Sequence, residues 1–339
     1  MFVFIPESFS RSRPLRVAPD SPITTNWPAS PYSKPSVRPI TSPVVENLQS
    51  VHTAPRERAI DATLVRRIIL EQSRRANVGH IGSSLSVVEI LCAVYEALRV
   101  NGLGDPDRDR FVLSKGHAAL GLYATLSIAG FLSPADLATF CGENSLVGTH
   151  PEVGLPGIDF STGSLGQGLS MACGAALAAR MQRSERRVFC LLSDAECNEG
   201  SVWEAAMFAA HHKLGHLMAI VDVNGQQALG LTRDVLDQSN PAERWRAFGW
   251  RVEEVDGHSL DELRMAIQNQ EDQFGKPTVV LARTVIGKGV YFMEQGDSIT
   301  QSHIPPNPVN WHYLPMSDRE FQLAIQALGN ASREEAFIA

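Results

Sequence analysis

Two oxygen-bearing side chains follow two apolar runs of the sequence. Asp194 comes after the run at 188–192, and Asn224 comes directly after the run at 217–223. Both runs have the composition of buried strands, and the spacing of 30 residues between the two side chains fits one β-α-β unit. Open α/β sheets bind ligands beyond the carboxyl ends of their strands, where Mg²⁺ is usually held by one or two protein oxygens and a ligand's phosphates. The pair therefore suggests a cation site, although a helix cap at Asp194 and a turn at Asn224 explain each residue equally well in isolation.

A glycine-rich run lies upstream of both side chains. It covers residues 162–168, reads T-G-S-L-G-Q-G, and precedes a stretch of small residues that predicts a helix. Glycine lets the backbone approach a phosphate closely, and a helix N-terminus favours its charge, but tight helix packing explains the run equally well. The spacing is neither G-x-G-x-x-G nor G-x-x-x-x-G-K-[ST], which removes the usual support for a nicotinamide or P-loop enzyme.

Three histidines lie beside glycine or proline, at His80, His117 and His150. Loop histidines that a scaffold positions often transfer protons near neutral pH. Any one of them alone is better explained as a surface or capping residue, but three in similar contexts favour chemistry.

A second group of histidines has a different pattern. His211, His212 and His216 fall on a predicted helix, where His212 and His216 are four residues apart, as in some zinc sites. No third ligand is evident, so we predict that they are residues of a helix face.

The elements that must position these residues follow an α/β pattern. An amphipathic helix is predicted from Asp61, and a capping box formed by Ser86 and Glu89 predicts the start of a second helix. Beyond them, β-rich runs alternate with helical stretches, and the predicted strands are 111–113, 188–192, 217–223, 251–255 and 278–282. This alternation predicts a doubly wound, mostly parallel sheet flanked by helices.

The composition excludes several classes of protein. The net charge of −7 gives no basic field for nucleic acid, and no window approaches the roughly 18 apolar residues of a membrane span. The five cysteines form no C-x-x-C pair, which favours a reducing, cytoplasmic location. We expect neither a nucleic-acid partner nor a membrane partner.

The chain divides into three predicted regions. Residues 1–55 are rich in proline and serine without apolar periodicity and predict a disordered tail. Residues 56–295 carry the motifs and predict one folded domain. Residues 296–339 predict a C-terminal extension with a terminal helix.

Six motifs in order resemble the amino-terminal, diphosphate-binding portion of transketolases, and the split, two-gene members most of all. They are N-V-G-H-I-G, F-V-L-S-K-G-H-A, G-T-H-P-E, S-T-G-S-L-G-Q-G, S-D-A-E-C-N-E-G-S-V-W-E-A and V-D-V-N-G. The resemblance implies a thiamine diphosphate-binding fold, with thiamine diphosphate and Mg²⁺ (or Ca²⁺ or Mn²⁺) as cofactors.

The resemblance also implies roles for individual residues. The expected metal ligands are Asp194, Asn224 and the backbone carbonyl of Gln226. The expected cofactor-binding residues, besides Asp194 and Asn224, are His117, Gly163, Leu165, Gly166, Ala195 and Glu196. The expected catalytic residues are His80, His150 and His312, which would exchange protons with the donor's hydroxyl and the alkoxide formed from its carbonyl.

The resemblance leaves three points open. The late active-site histidine could be His303 instead of His312, because an insertion separates them from the last clear motif. Ala195 stands where the family usually has glycine, which puts cofactor affinity in question. Glu199 and Glu204 match interface positions of the family, but two solvated helix carboxylates explain them equally well.

The resemblance implies a catalytic partner. The chain ends at Ala339 without the pyrimidine-binding domain of the family, so we expect a C-terminal transketolase subunit to supply it in an α₂β₂ assembly. The expected reaction transfers a two-carbon ketol unit from a ketose or ketose phosphate to an aldehyde. Alternatives are a 2-oxo acid decarboxylase, a 1-deoxysugar-phosphate synthase, a degenerate subunit without catalytic activity and, with least support, a nicotinamide enzyme.

Overall fold

The structure is a computed structural model that describes residues 59–100, 102–269, 275–294 and 309–338. The predicted tail at 1–55 and His303 lie outside the described residues. None of the described helices is long and apolar enough to cross a bilayer.

The described part of the chain contains a five-stranded parallel sheet with the order β1-β2-β3-β7-β6. Its strands are β1 (Arg110–Leu113), β2 (Val188–Ser193), β3 (Leu217–Val223), β6 (Arg251–Asp256) and β7 (Thr278–Arg283). A short antiparallel ribbon, β4 (Gln226–Gln227) and β5 (Gly230–Leu231), follows β3. The five predicted strands are confirmed, each to within one residue at its ends.

Both faces of the central strands β2 and β3 are buried. Phe189 and Leu191 of β2 face one apolar cluster, whereas Cys190 and Leu192 face another. A strand that is buried on both faces has no polar alternation, which is why β2 and β3 read as continuous apolar runs in the sequence.

Helices cover the two faces of the sheet. In chain order they are α1 (Ala62–Ala76), α2 (Ile81–Leu85), α3 (Val88–Ala97), α4 (Ala119–Ile128), α5 (Pro134–Leu137), α6 (Gly168–Gln182), α7 (Gly200–His211), α8 (Thr232–Val235), α9 (Pro241–Ala247), α10 (Leu260–Gln268), α11 (Tyr291–Glu294), α12 (Asn310–Tyr313) and α13 (Asp318–Ile338). Helices α1, α3, α4 and α10 pack on the face that contains Phe189, while α6, α7 and α9 pack on the face that contains Cys190. The predicted doubly wound α/β architecture is confirmed.

The first helix begins where the sequence predicted. The Asp61 carboxylate accepts hydrogen bonds from the backbone N–H groups of Thr63 at 2.8 Å and Leu64 at 3.2 Å. This carboxylate satisfies two of the N–H groups that have no partner within the helix.

The predicted capping box at Ser86 and Glu89 is wrong. Helix α3 begins at Val88 without a side-chain cap. The Ser86 hydroxyl instead donates to Asp222 at 2.9 Å, and Glu89 pairs with Arg66 at 2.7 Å. Both side chains are buried, so tertiary partners take the groups that a capping box would use.

Candidate functional site

Asp194 joins the carboxyl ends of β2 and β3. Its Oδ1 accepts a hydrogen bond from the Ala195 N–H at 2.8 Å, and its Oδ2 accepts from the Gly225 N–H at 2.8 Å and the Thr232 hydroxyl at 3.2 Å. Burial and the nearby Asp222 carboxylate raise the pKa of Asp194 to about 6, against the effect of the two backbone donors. A bound cation would strongly stabilise the ionised form of a carboxylate that is buried in this way.

Asn224 lies beside it with a fixed amide orientation. Its Oδ1 accepts a hydrogen bond from the Gln226 N–H at 2.9 Å, and its Nδ2 donates to Asp222 at 2.8 Å. The Gln226 Oε1 atom is buried and has no hydrogen-bond partner among the described residues. A cavity of about 500 Å³ is lined by Asp194, Asn224 and Gln226, so the three predicted metal ligands share one space.

A buried network supports Asn224, and the sequence did not reveal it. The Asp222 carboxylate is fully buried and accepts hydrogen bonds from Lys115, Ser86 and Thr284 as well as from Asn224. Although burial opposes ionisation, the adjacent Lys115 ammonium lowers the pKa of Asp222. The signal that could have found this network is a charged residue inside the apolar run of β3, since a buried charge needs a partner.

The glycine-rich run packs against the predicted histidines. A Cβ atom at Gly163 would lie 3.3 Å from the His150 ring, and one at Gly116 would lie 3.0 Å from the Gly163 backbone. Gly166 has a φ of 87°, and a Cβ there would lie 2.6 Å from the Glu199 side chain. The close packing offered as one explanation of the run is therefore present, and phosphate contact stays a prediction.

Glu196 lies behind this run. It is fully buried, and its Oε1 accepts hydrogen bonds from the Gly166 N–H at 2.7 Å and the Ser114 hydroxyl at 2.5 Å. Burial raises the pKa of Glu196, although these donors and the Ser193 N–H oppose the shift. The Glu196 carboxylate thus holds the backbone of Gly166 in place. Leu165, the residue before Gly166, is 36% exposed.

Ala195 introduces no backbone strain. It begins a 3₁₀ turn at Ala195–Asn198, and the described non-glycine residues with positive φ do not include it. Alanine in place of the family's usual glycine therefore requires no left-handed conformation here.

Three of the predicted histidines form one cluster. The ring centroids of His80 and His117 lie 5.6 Å apart, those of His80 and His312 lie 5.5 Å apart, and those of His117 and His312 lie 5.3 Å apart. His150 lies close enough for its charge to affect the pKa of both His80 and His117. The structure thus brings together His80, His117, His150 and His312.

Two glycines allow helix α12 to bring His312 to this cluster. A Cβ atom at Gly79 would lie 2.0 Å from the Tyr313 carbonyl oxygen, and one at Gly82 would lie 3.1 Å from the Trp311 carbonyl oxygen. Only glycine at position 79 leaves room for the α12 backbone. His312 thus lies in the cluster, and its role as the late active-site histidine stays a prediction.

The cluster disfavours positive charge. Burial lowers the pKa of His80, and the nearby His150 adds to this effect. Burial and the Lys115 ammonium lower the pKa of His117 well below its ordinary value, and burial with His80 and Lys115 lowers the pKa of His312 to about 4. The lowered pKa values favour the neutral form of these three rings. The Nδ1 atoms of His80 and His312 are buried without a hydrogen-bond partner among the described residues.

The second histidine group does not share one helix. Helix α7 ends at His211, and His216 lies beyond it, directly before β3. The prediction of a common helix face is therefore wrong for His216, because the chain turns at Lys213, whose φ is 48°. No group of three or more His, Cys, Asp or Glu side chains among the described residues could hold a metal ion.

The fold and the polar edge of its sheet define an open α/β domain, a class in which ligands bind beyond the carboxyl ends of the strands. The sequence profile "Transketolase, thiamine diphosphate binding domain" matches residues 56–304. The chain belongs to this family.

Relatives and solved structures agree with this assignment. The chain is 40% identical over 237 residues to "6-deoxy-6-sulfo-D-fructose transketolase subunit SqwG" of Clostridium sp. (strain MSTE9), covering 69% of this chain and 86% of that protein. It is 38% identical over 232 residues to one subunit of the apulose-4-phosphate transketolase of Phocaeicola vulgatus, covering 68% and 83%. The crystal structure of transketolase from Campylobacter jejuni superposes with a TM-score of 0.70 at 30% identity, covering 79% of this chain and 42% of that one. The chain thus spans about two fifths of that solved transketolase.

Proposed function

We propose that this chain is the diphosphate-binding subunit of a transketolase-like enzyme that transfers a two-carbon ketol unit from a ketose to an aldehyde. One observation carries the proposal. Asp222 bonds to Asn224 on one side and to Lys115 on the other. Burial is the main cause of the lowered pKa of His117 and His312, and the nearby Lys115 ammonium lowers both pKa values further. The oxygen donors and the neutral histidines therefore form one continuous polar centre at the carboxyl edge of the sheet.

The donors fit a hard divalent cation. The Asp194 carboxylate and the Asn224 amide line one cavity, and oxygen ligands of this kind suit Mg²⁺, Ca²⁺ or Mn²⁺. We assign the protein ligands to Asp194, Asn224 and the backbone carbonyl of Gln226. The cation would neutralise Asp194, whose burial makes its charge costly, and would fix the cofactor's diphosphate beside Gly166 and His117.

Thiamine diphosphate, when bound, supplies the carbon nucleophile and the electron sink that ketol transfer needs. The chain's own task is to handle protons. We assign His80, His150 and His312 to the substrate side of the cluster, where an imidazole ring would accept the proton of the donor hydroxyl and return it to the alkoxide oxygen. We assign Gly163 and Leu165 to packing against the cofactor.

The site needs a second chain. The relatives from Clostridium and Phocaeicola vulgatus are both named as subunits of a transketolase, which supports a partner with the pyrimidine-binding domain. We place this partner against α7, where Glu204 is exposed beside Met207 and Phe208, and expect an α₂β₂ assembly in the cytoplasm. The same names, with a sulfonated and a phosphorylated sugar, support a ketose donor that bears an anionic group.

The other functions of the same cofactor class have less support. The cluster of histidines favours ketol transfer over a 2-oxo acid decarboxylase or a 1-deoxysugar-phosphate synthase. A degenerate subunit had only Ala195 in its favour, and Ala195 adopts an unstrained turn.

Calorimetric titration tests the proposal. The purified chain is titrated with thiamine diphosphate and Mg²⁺, with and without the pyrimidine-domain subunit, and the same is done for Asp194→Ala. Asp237→Ala is the matched control, because Asp237 lines the same cavity but is exposed and is not an assigned ligand. Metal-dependent binding that needs the partner, disappears in Asp194→Ala and persists in Asp237→Ala supports the proposal. Absence of binding in the full complex would overturn it in favour of a non-catalytic subunit.

A further inference from the structure

A basic groove lies at the end of the sheet opposite to the candidate site. It has a volume of about 1180 Å³, and among the described residues eight lysine and arginine side chains line it against one carboxylate, Glu185. Arg187 and His216 line it directly before β2 and β3, and Lys276 lines it shortly before β7. Strands of six or seven residues separate the groove from Asp194 and Asn224 by roughly 20 Å. The groove is therefore separate from the candidate site.

Part of this positive charge is already compensated. Arg99 and Arg187 pair with Asp109 at 2.9 and 2.7 Å, and Arg251 pairs with Glu253 at 2.7 Å. Arg183, Lys213 and Lys276 have no carboxylate partner within the described residues, and all three are exposed. The groove thus keeps a positive excess on a chain whose net charge is −7.

Helix ends explain only part of the excess. Helices α6 and α7 end at the groove, and their partial negative charges, about half a unit each, favour cations nearby. Arg180 interacts with both helix ends, because it lies in the last turn of α6 and donates a hydrogen bond to the His212 carbonyl at the end of α7. The unpaired cations exceed what the two helix ends can neutralise.

Two of the unpaired cations occupy unfavourable backbone conformations. Arg183 caps α6 with a φ of 56°, and Lys213 follows α7 with a φ of 48°. Glycine or asparagine is the favoured residue at such positions, since other side chains strain the left-handed conformation. Strain of this kind is commonly retained where the side chain has a function. Here both strained residues direct positive charge into the same groove.

The groove also has a backbone floor. A Cβ atom at Gly215 would lie 3.0 Å from the Gly275 Cα, so these two glycines bring two chain segments together. Trp250 is only 3% exposed and its indole N–H donates to the Ala206 carbonyl at 2.9 Å, so it offers no ring for a nucleobase to stack on. Recognition in this groove therefore depends on charge.

We propose that this groove binds a small anion that carries two or more phosphate groups. Guanidinium groups match phosphate oxygens in pairs, and several cations around one concave surface strengthen the field at its centre. Gly215 and Gly275 have no side chains, so they leave room for a compact anion between the lysine and arginine side chains that line the groove. The proposal is independent of the cofactor site.

Isothermal titration of the full chain with inorganic tripolyphosphate and with ATP, at physiological salt, tests this proposal. The test variant is Arg183→Asn with Lys213→Asn, because asparagine tolerates the left-handed conformation and the fold should persist. The matched control is Arg67→Gln with Arg319→Gln, which removes two exposed cations outside the groove. Asp194→Ala serves as a second control against binding at the cofactor site.

Saturable binding of either probe that weakens at least tenfold in the test variant, and less than twofold in both controls, supports the proposal. Equal weakening in the test and control pairs would show general charge attraction and would overturn it. Absence of binding of both tripolyphosphate and ATP by the unmodified chain would also overturn it.

Discussion

Lys115 and Asp222 form an ion pair in which neither side chain is exposed to solvent. The pair is more than a packing feature, because Asp222 also accepts the hydrogen bond that fixes the Asn224 amide. Because the Asp222 carboxylate can only accept hydrogen bonds, the Asn224 amide turns its Nδ2 toward Asp222. Its Oδ1 is therefore left at the edge of the sheet. Lys115 and Asp222 therefore set the orientation of a proposed metal ligand.

Replacing one member of this ion pair should strongly destabilise the fold. We expect Asp222→Asn to lower the free energy of unfolding by about 3 to 5 kcal/mol, because it leaves the Lys115 charge buried and uncompensated. Adding Lys115→Met should recover more than half of this loss. Urea unfolding of the two single variants and the double variant measures the coupling.

Ser86→Ala is the control for this pair. Ser86 also donates to Asp222 but carries no charge, so its loss should cost about 1 kcal/mol. A cost for Asp222→Asn as small as that of Ser86→Ala would contradict the electrostatic explanation.

Two glycines of the same region should respond in opposite ways to alanine. Gly166→Ala should lower stability by about 1 to 3 kcal/mol, because its φ is 87° and the new Cβ would lie 2.6 Å from Glu199. Gly174→Ala should raise stability by about 0.5 to 1 kcal/mol, since Gly174 lies within α6 and nothing lies within 4 Å of the new Cβ. Thermal unfolding measures both. Equal effects of the two substitutions would mean that the glycine run imposes no special conformation.

The sequence predicted the sheet better than the network beneath it. The runs of β2 and β3 are apolar throughout because both faces of the sheet are covered, so the strands are legible without any tertiary information. Ser86 and Glu89 were misinterpreted because their partners, Asp222 and Arg66, lie 136 and 23 residues away. A local pattern does not reveal such partners.

The histidine cluster shows the same limit. His80, His117 and His150 were selected from their local contexts, but the choice between His303 and His312 could not be made from spacing after an insertion. His312 reaches the cluster only because Gly79 lets the Tyr313 carbonyl approach, a contact between residues more than 200 positions apart. Lys115 was missed because a lysine beside a glycine in a loop has the sequence appearance of a surface residue.

The histidine cluster should make the protein sensitive to mild acid. The pKa values of His80, His117 and His312 are lowered in the folded state, so between about pH 6.5 and 4 the unfolded chain binds more protons at these sites. The free energy of unfolding should therefore fall as the pH drops through this range. With a pKa of about 4, His312 accounts for about 2 kcal/mol of the loss between pH 7.5 and 5.

Urea unfolding at pH 7.5 and 5 checks this expectation. His312→Gln should reduce the loss of stability by that amount, whereas His211→Gln, at an exposed position, should leave it unchanged. If His312→Gln loses stability between the two pH values as strongly as the unmodified protein, His312 is excluded as the cause.

Arg66 and Arg67 are neighbours in α1, and each forms an ion pair with a glutamate. The two ion pairs should differ sharply in their contribution to stability. Arg66 and Glu89 are buried and 2.7 Å apart, and His258 also contacts Glu89 at 3.0 Å. Burial opposes ionisation of Glu89, but hydrogen bonds from His258 and Arg66 lower its pKa to about 2. A lowered carboxyl pKa stabilises the fold at neutral pH, and the contribution of about 3 kcal/mol is lost as the pH falls from about 4.5 to 2.

Glu89→Gln should thus cost about 3 to 5 kcal/mol at pH 7, because Arg66 stays buried without its counter-charge. The pair of Arg67 and Glu71 is exposed, so Glu71→Gln should cost less than about 1 kcal/mol. Urea unfolding at pH 7 and pH 3 separates the two cases, since the difference between Glu89→Gln and the unmodified protein should shrink as Glu89 becomes protonated on unfolding. A difference that stays constant with pH would mean that the substitution acts through packing and that the charge of Glu89 contributes little.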